Sequence, residues 1–120
     1  MVRCARRDRI EAPPAVTPIR VEPEAKQELA AAAAWYEQRR EGLGLELLAE
    51  VDAVFTAIAR SPSRFPLYPR VARELGVRRA AARRFPYSIA FIELPKVVRV
   101  LAIAHERRRP GYWVGRLKER

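Results

Sequence analysis

Two arginine clusters bracket the second half of the chain. Arg83 and Arg84 precede Phe85-Pro86-Tyr87, and Arg107, Arg108 and Arg109 follow His105, the only histidine. Guanidinium groups grip phosphate oxygens in pairs, so these five side chains could form one phosphate-holding patch if the two segments are neighbours. Tyr87, Tyr112 and Trp113 lie beside them and offer faces on which bases could stack. His105 can act as a general acid or base near neutral pH. Each group also has a plainer use. His105 can cap a strand end, Tyr112 and Trp113 can dock the C-terminal segment, and the arginines can be solvated or paired with acidic helices.

The elements that must position these residues are legible in the spacing of apolar side chains. Thr17 to Val21 reads as a short strand ending before Pro23. Glu22 to Arg40 reads as a helix: Pro23 suits its first turn, and Ala25, Leu29, Ala32 and Tyr36 make one stripe. Gly42 and Gly44 break it, and a second helix is expected from Leu45 to Arg60, with Leu48, Val51, Phe55 and Ile58 as its stripe. So short a link predicts an antiparallel helical hairpin. Ser61 to Arg70, with Pro62, Pro66 and Pro69, reads as a surface loop. Val77 to Arg84 reads as a strand with poor alternation, where Arg79 or Arg78 must share a face with small apolar residues. Tyr87 to Leu94 and Val97 to Ala104 are the clearest strands, joined at Pro95-Lys96. Simple alternation puts Val98, Val100, Ala102 and Ala104 toward the helices, and Val97, Arg99, Leu101, Ile103 and His105 on a more open face. The fold class expected is α+β in the order β-α-α-β-β-β, a helical hairpin packed on one face of a small antiparallel sheet.

The bulk properties narrow the chemistry. A length of 120 residues predicts one domain, spanning residues 16–120, preceded by a flexible basic arm over residues 1–15. The net charge of +10 is unevenly spread. Residues 22–60 carry eight acids and four bases, whereas residues 61–120 carry fifteen bases and four acids. An excess of this kind suggests a polyanionic partner, either nucleic acid or an acidic protein. The single cysteine, Cys4, fits a reducing compartment, and no apolar run approaches the roughly 18 residues that span a membrane, so a cytoplasmic location is expected. One histidine and one cysteine offer no metal-ligand spacing, and there is no Gly-rich phosphate loop or nucleophile elbow. Neither metal nor cofactor is expected.

The ordered set of motifs resembles the RelE/ParE toxin family of bacterial toxin–antitoxin modules. It comprises Arg83-Arg84-Phe85-Pro86-Tyr87, the strand Val100-Leu101-Ala102-Ile103-Ala104-His105, then Arg107-Arg108, Pro110 and Trp113. Upstream, Trp35-Tyr36-Glu37, Gly42-Leu43-Gly44 and the helix ending Ile58 to Ser61-Pro62 fit the same pattern, so the similarity covers about residues 17–117. The resemblance implies a growth-inhibiting toxin of a plasmid-stabilising type II module, neutralised by a cognate antitoxin that wraps it. That antitoxin's binding segment would be acidic or amphipathic.

Within the family the resemblance implies two targets. ParE-like members inhibit DNA gyrase, and RelE-like members cut messenger RNA on the ribosome with basic residues and a late tyrosine. In the ribonuclease pattern Arg83, Arg107 and Tyr112, with His105, would be the catalytic set. Arg79, Arg84, Tyr87, Arg108, Arg109 and Trp113 would contact nucleic acid or another target. The chain departs from that pattern at Ser88, where RelE-like strands often carry arginine, and at Ala80, Ala81 and Ala82, where lysines would be useful. The thin catalytic set favours gyrase. A ribosome-dependent endoribonuclease is the alternative, and a non-toxic basic module that binds nucleic acid is the second.

Overall fold

The computed structural model describes residues 16–119. The expected arm over residues 1–15, with Cys4, lies outside them. The elements are β1 (Ile19–Val21), α1 (Pro23–Arg39), α2 (Leu43–Arg60), two short 3-10 turns (Pro62–Arg64 and Arg73–Leu75), β2 (Arg78–Ala81), β3 (Tyr87–Glu93), β4 (Val98–His105) and a final 3-10 segment, Val114–Glu119. This is the β-α-α-β-β-β order read from the sequence. The sheet order is β1-β4-β3-β2. β2, β3 and β4 pair antiparallel as expected, and β1 joins β4 in parallel, so the four-stranded sheet is mixed.

The helical hairpin is closed by a carboxylate from its own first helix. Glu37 accepts the backbone N–H of Gly42 at 2.8 Å and of Gly44 at 2.9 Å, satisfying donors that the start of a helix leaves without partners. α2 therefore begins at Leu43, two residues before the expected Leu45, and Gly44 lies inside it instead of breaking it. Gly42 remains a turn residue, with φ of 89°. Gly44 serves close approach: a Cβ there would lie 2.5 Å from the carbonyl oxygen of Ala33. The alanine run of α1 and Gly44 thus let the two helices meet backbone to backbone.

Two apolar layers sandwich the sheet. On the helix side Leu47, Val51 and Ile58 pack on Ile89, Phe91, Val98, Val100 and Ile103. On the other side Val77, Ala90, Leu101, Ala102 and Ala104 surround Trp113. The face expected to be open is therefore covered by the C-terminal segment. The face assignment also needs correction. Ala90 pairs with Ala102 but Phe91 pairs with Val100, so Leu101 is an extra residue in β4. This bulge reverses the alternation beyond it. Val98 and Val100 face the helices as expected, but Ala102 and Ala104 turn toward Trp113, and Ile103 turns toward the helices.

β2 is shorter than the strand expected from Val77 to Arg84. Glu50 of α2 accepts the backbone N–H groups of Arg83 and Arg84 at 2.7 and 2.9 Å, which draws these residues out of the ladder toward the helix. The expected loop from Ser61 to Arg70 is partly ordered by its 3-10 turn and a bridge between Leu67 and Arg78. Replacing Gly44 by alanine should cost about 1–3 kcal/mol in urea unfolding, the usual range for overpacking. An unchanged midpoint would remove the close approach of α1 and α2 as a constraint.

Candidate functional site

Glu28 is the polar centre of the region around the end of β4. Its carboxylate accepts the hydroxyl of Tyr112 at 2.6 Å, two N–H groups of Arg116 at 3.0 and 3.2 Å, and the backbone N–H of Ile103 at 3.0 Å. Arg108 lies 3.9 Å away. Its place was signalled in the sequence, since Glu28 falls three residues after Ala25 and four before Ala32. It is an acid on the buried stripe of α1. Burial, and then the bond to Glu28, push the Tyr112 hydroxyl well above the ordinary phenol value of 10.0. Burial also raises Tyr68 and Tyr87.

The arginines fall into separate clefts. Between α2 and β2 lies an edge cleft of about 670 Å³, floored by Ala49, Ala53 and Ala57 and bordered by Arg83 and Arg84. Arg84 is paired there with Glu46 at 2.7 Å, which holds the Glu46 carboxyl below and the Arg84 guanidinium above their usual values. A helix-side cleft of about 460 Å³ runs between α1 and the end of the sheet, where Ala31 and Ala32 leave room beside Trp35, Tyr36, Tyr87 and His105. The Tyr87 and His105 rings meet edge to face at 5.1 Å. His105 Nδ1 accepts the backbone N–H of Arg107 at 3.0 Å, so the neutral ring carries its proton on Nε2. Arg107 itself is exposed.

On the other face a tail-side cleft of about 410 Å³ gathers Arg70, Arg79, Arg108 and Arg109, with His105 at the boundary between the two faces. Arg79 Nε donates to Ser88 Oγ at 2.8 Å. Arg108 stacks on the Tyr112 ring at 3.8 Å. Trp113 is fully buried and meets Tyr68 edge to face at 5.0 Å. Of the residues singled out in the sequence, the structure thus brings Arg79, His105, Arg108, Arg109, Tyr112 and Trp113 to one cleft. It places Arg83 and Arg84 at another and Tyr87 in the third. Glu28, Tyr68, Arg70 and Arg116 were not singled out. Among the described residues no group of His, Cys, Asp and Glu could hold a metal ion, and no helix is long and apolar enough to cross a membrane.

Comparison with known proteins decides the family. The family described as "ParE toxin of type II toxin-antitoxin system, parDE" matches residues 19–110. The chain belongs to the ParE toxin family. Two solved structures share its fold. One is the chromosomal ParDE toxin–antitoxin system from P. aeruginosa, with TM-score 0.65, 18% identity, and coverage of 75% of this chain and 96% of that one. Another is the toxin–antitoxin complex RelBE2 from Mycobacterium tuberculosis, with TM-score 0.52, 22% identity, and coverage of 75% and 91%. No curated protein sequence matches significantly. The ParE match ends at Pro110, so Tyr112, Trp113 and Arg116, which close the second face, lie beyond it.

A phenol held neutral in the fold makes stability fall in alkali. Below about pH 10 Tyr112 is protonated in both folded and unfolded chains, and its contribution is complete. Above that value the unfolded chain ionises first, and stability is lost as pH rises toward the raised folded value. Tyr112→Phe should cost roughly 1.5 kcal/mol at neutral pH by losing a bond to a carboxylate, and should flatten the alkaline decline. Unfolding free energies measured across this range check it. A decline of the same slope in both proteins would show that Tyr112 is not its source.

Proposed function

We propose that this ParE-family chain arrests growth by binding a macromolecular target, DNA gyrase, and not by cutting RNA. The observation that carries this reading is the Tyr112 hydroxyl, committed as a donor to Glu28 at 2.6 Å beneath Arg108 and Arg116. Cleavage through a 2′-hydroxyl needs a group free to take its proton and cations at the phosphate. Tyr112, held protonated, is a poor acceptor. Ser88 is buried against Arg79, and alanines occupy positions 80 to 82. The surface is shaped more for contact than for proton transfer.

An antitoxin is the proposed second partner, in the cytoplasm. The similar solved structures are toxin–antitoxin complexes. The separation of charge between the acidic first helices and the basic second half favours a partner segment that is acidic or amphipathic. The ribonuclease alternative draws on Arg107, exposed beside His105.

Purified protein should inhibit gyrase supercoiling at micromolar concentration, and transcripts from cells expressing it should carry no ribosome-dependent cuts. Tyr112→Phe should keep full toxicity. Absence of supercoiling inhibition, together with new transcript ends that vanish in Tyr112→Phe or Arg107→Ala, would overturn the gyrase reading in favour of the ribonuclease.

A further inference from the structure

We propose that the tail-side cleft grips the phosphate backbone of duplex DNA. Four arginines, Arg70, Arg79, Arg108 and Arg109, converge on a space of about 410 Å³, and Glu106 is the one acid among its lining residues. That acid is 3.9 Å from Arg79, and Glu28 beneath the cleft is 3.9 Å from Arg108, so four cations face two carboxylates and the balance stays positive. Two of the cations are held in place: Arg79 by Ser88, and Arg108 by the Tyr112 ring on which it stacks. Arg70 and Arg109 stand exposed on the rim. The loop that presents Arg70 keeps it at φ of 64°, a left-handed conformation that a residue with a side chain adopts at a cost of about 1 kcal/mol. The Nε1–H of Trp113, which lines the same cleft, is buried with no acceptor among the described residues.

The aromatic rings in the cleft choose between duplex and single strand. Single strands are held by bases stacking on bare aromatic faces. Here Trp113 is buried, Tyr68 is turned edge to face with it, and the Tyr112 face is covered by Arg108. The two late aromatics are thus taken, Trp113 by burial and Tyr112 by the guanidinium over its face. What remains is a set of four guanidinium groups lining one cleft, which suits a duplex whose bases face inward and whose phosphates face out. Such binding carries little sequence preference and weakens steeply with salt.

The test uses fluorescence anisotropy of the full chain with a short labelled duplex, and with single-stranded RNA of equal length. The duplex should bind at micromolar concentration in low salt and more tightly than the RNA. Arg109→Glu and Arg70→Glu should each weaken it about tenfold and lower the slope of log affinity against log salt by roughly one. Arg60→Glu, a charge reversal at the exposed end of α2 outside the cleft, should stay within about twofold. Matching thermal melts for the variants exclude loss of fold. Absence of duplex binding in low salt, an equal loss in Arg60→Glu, or tighter binding of single-stranded RNA would each overturn the proposal. Binding is measured without gyrase, so its failure and the failure of supercoiling inhibition are separate results.

Discussion

The carboxylate of Glu28 ties together three parts of the molecule: α1, the second half of β4 and the C-terminal segment. β1 pairs with β4 only from Val98 to Val100, so the rest of that edge is left with unpaired backbone groups. Glu28 takes the N–H of Ile103, and Arg116 takes the carbonyl of Leu101 at 2.8 Å. Because Glu28 also holds Arg116 and Tyr112, capping the strand edge and docking the C-terminal segment are one event. A carboxylate removed from water needs this many donors to offset the lost hydration. Arg99 adds a second tie: it is buried against Glu22 at 2.8 Å and donates to the carbonyl of Arg116 at 2.6 Å. With the tail docked, Trp113 fills the face of the sheet opposite the helices. Without it, Leu101, Ala102 and Ala104 would meet solvent.

The same arrangement determines which cations can act together. A plain antiparallel reading puts the arginines at the entrance and exit of the β3–β4 hairpin side by side. Glu50 and Glu46 instead draw Arg83 and Arg84 toward α2. Arg108 and Arg109 fold with the tail onto the opposite face. The bulge at Leu101 turns Ile103 toward α1 while Ala102 and Ala104 turn toward Trp113, and His105 ends at the border between the two clefts. The basic half of the chain therefore presents two surfaces. The tail-side one gathers four arginines, whereas at the larger edge cleft there are two, of which Arg84 is paired with Glu46.

Much of the architecture was legible because local signals agreed. The Ala25, Leu29, Ala32 and Tyr36 stripe, Pro23 at the helix start and two apolar runs after Tyr87 all point to one order of elements, which the structure follows. The arginines, His105 and the late aromatics were legible as candidates for the same reason: their types are unusual for a plain core. Their partners were not. Glu28 meets Tyr112 across 84 positions and Arg116 across 88, separations at which no spacing rule applies. The bulge left no trace either, because every residue from Val98 to Ala104 is buried and most are apolar, so the alternation that would have revealed a slip is missing.

By itself, then, the sequence determined the helices, the strands, their order, the segregation of charge and the family pattern. These depend on contacts between near neighbours and on composition. Only the tertiary structure decided which face each residue of β4 takes, that Gly44 belongs inside α2, and that Trp113 is core and not an exposed stacking surface. Those outcomes depend on a register shift between paired strands, a carboxylate reaching across to a second helix, and a tail folding back over the sheet. Each is a competition for backbone hydrogen bonds and apolar cover that is settled only when distant segments are brought together.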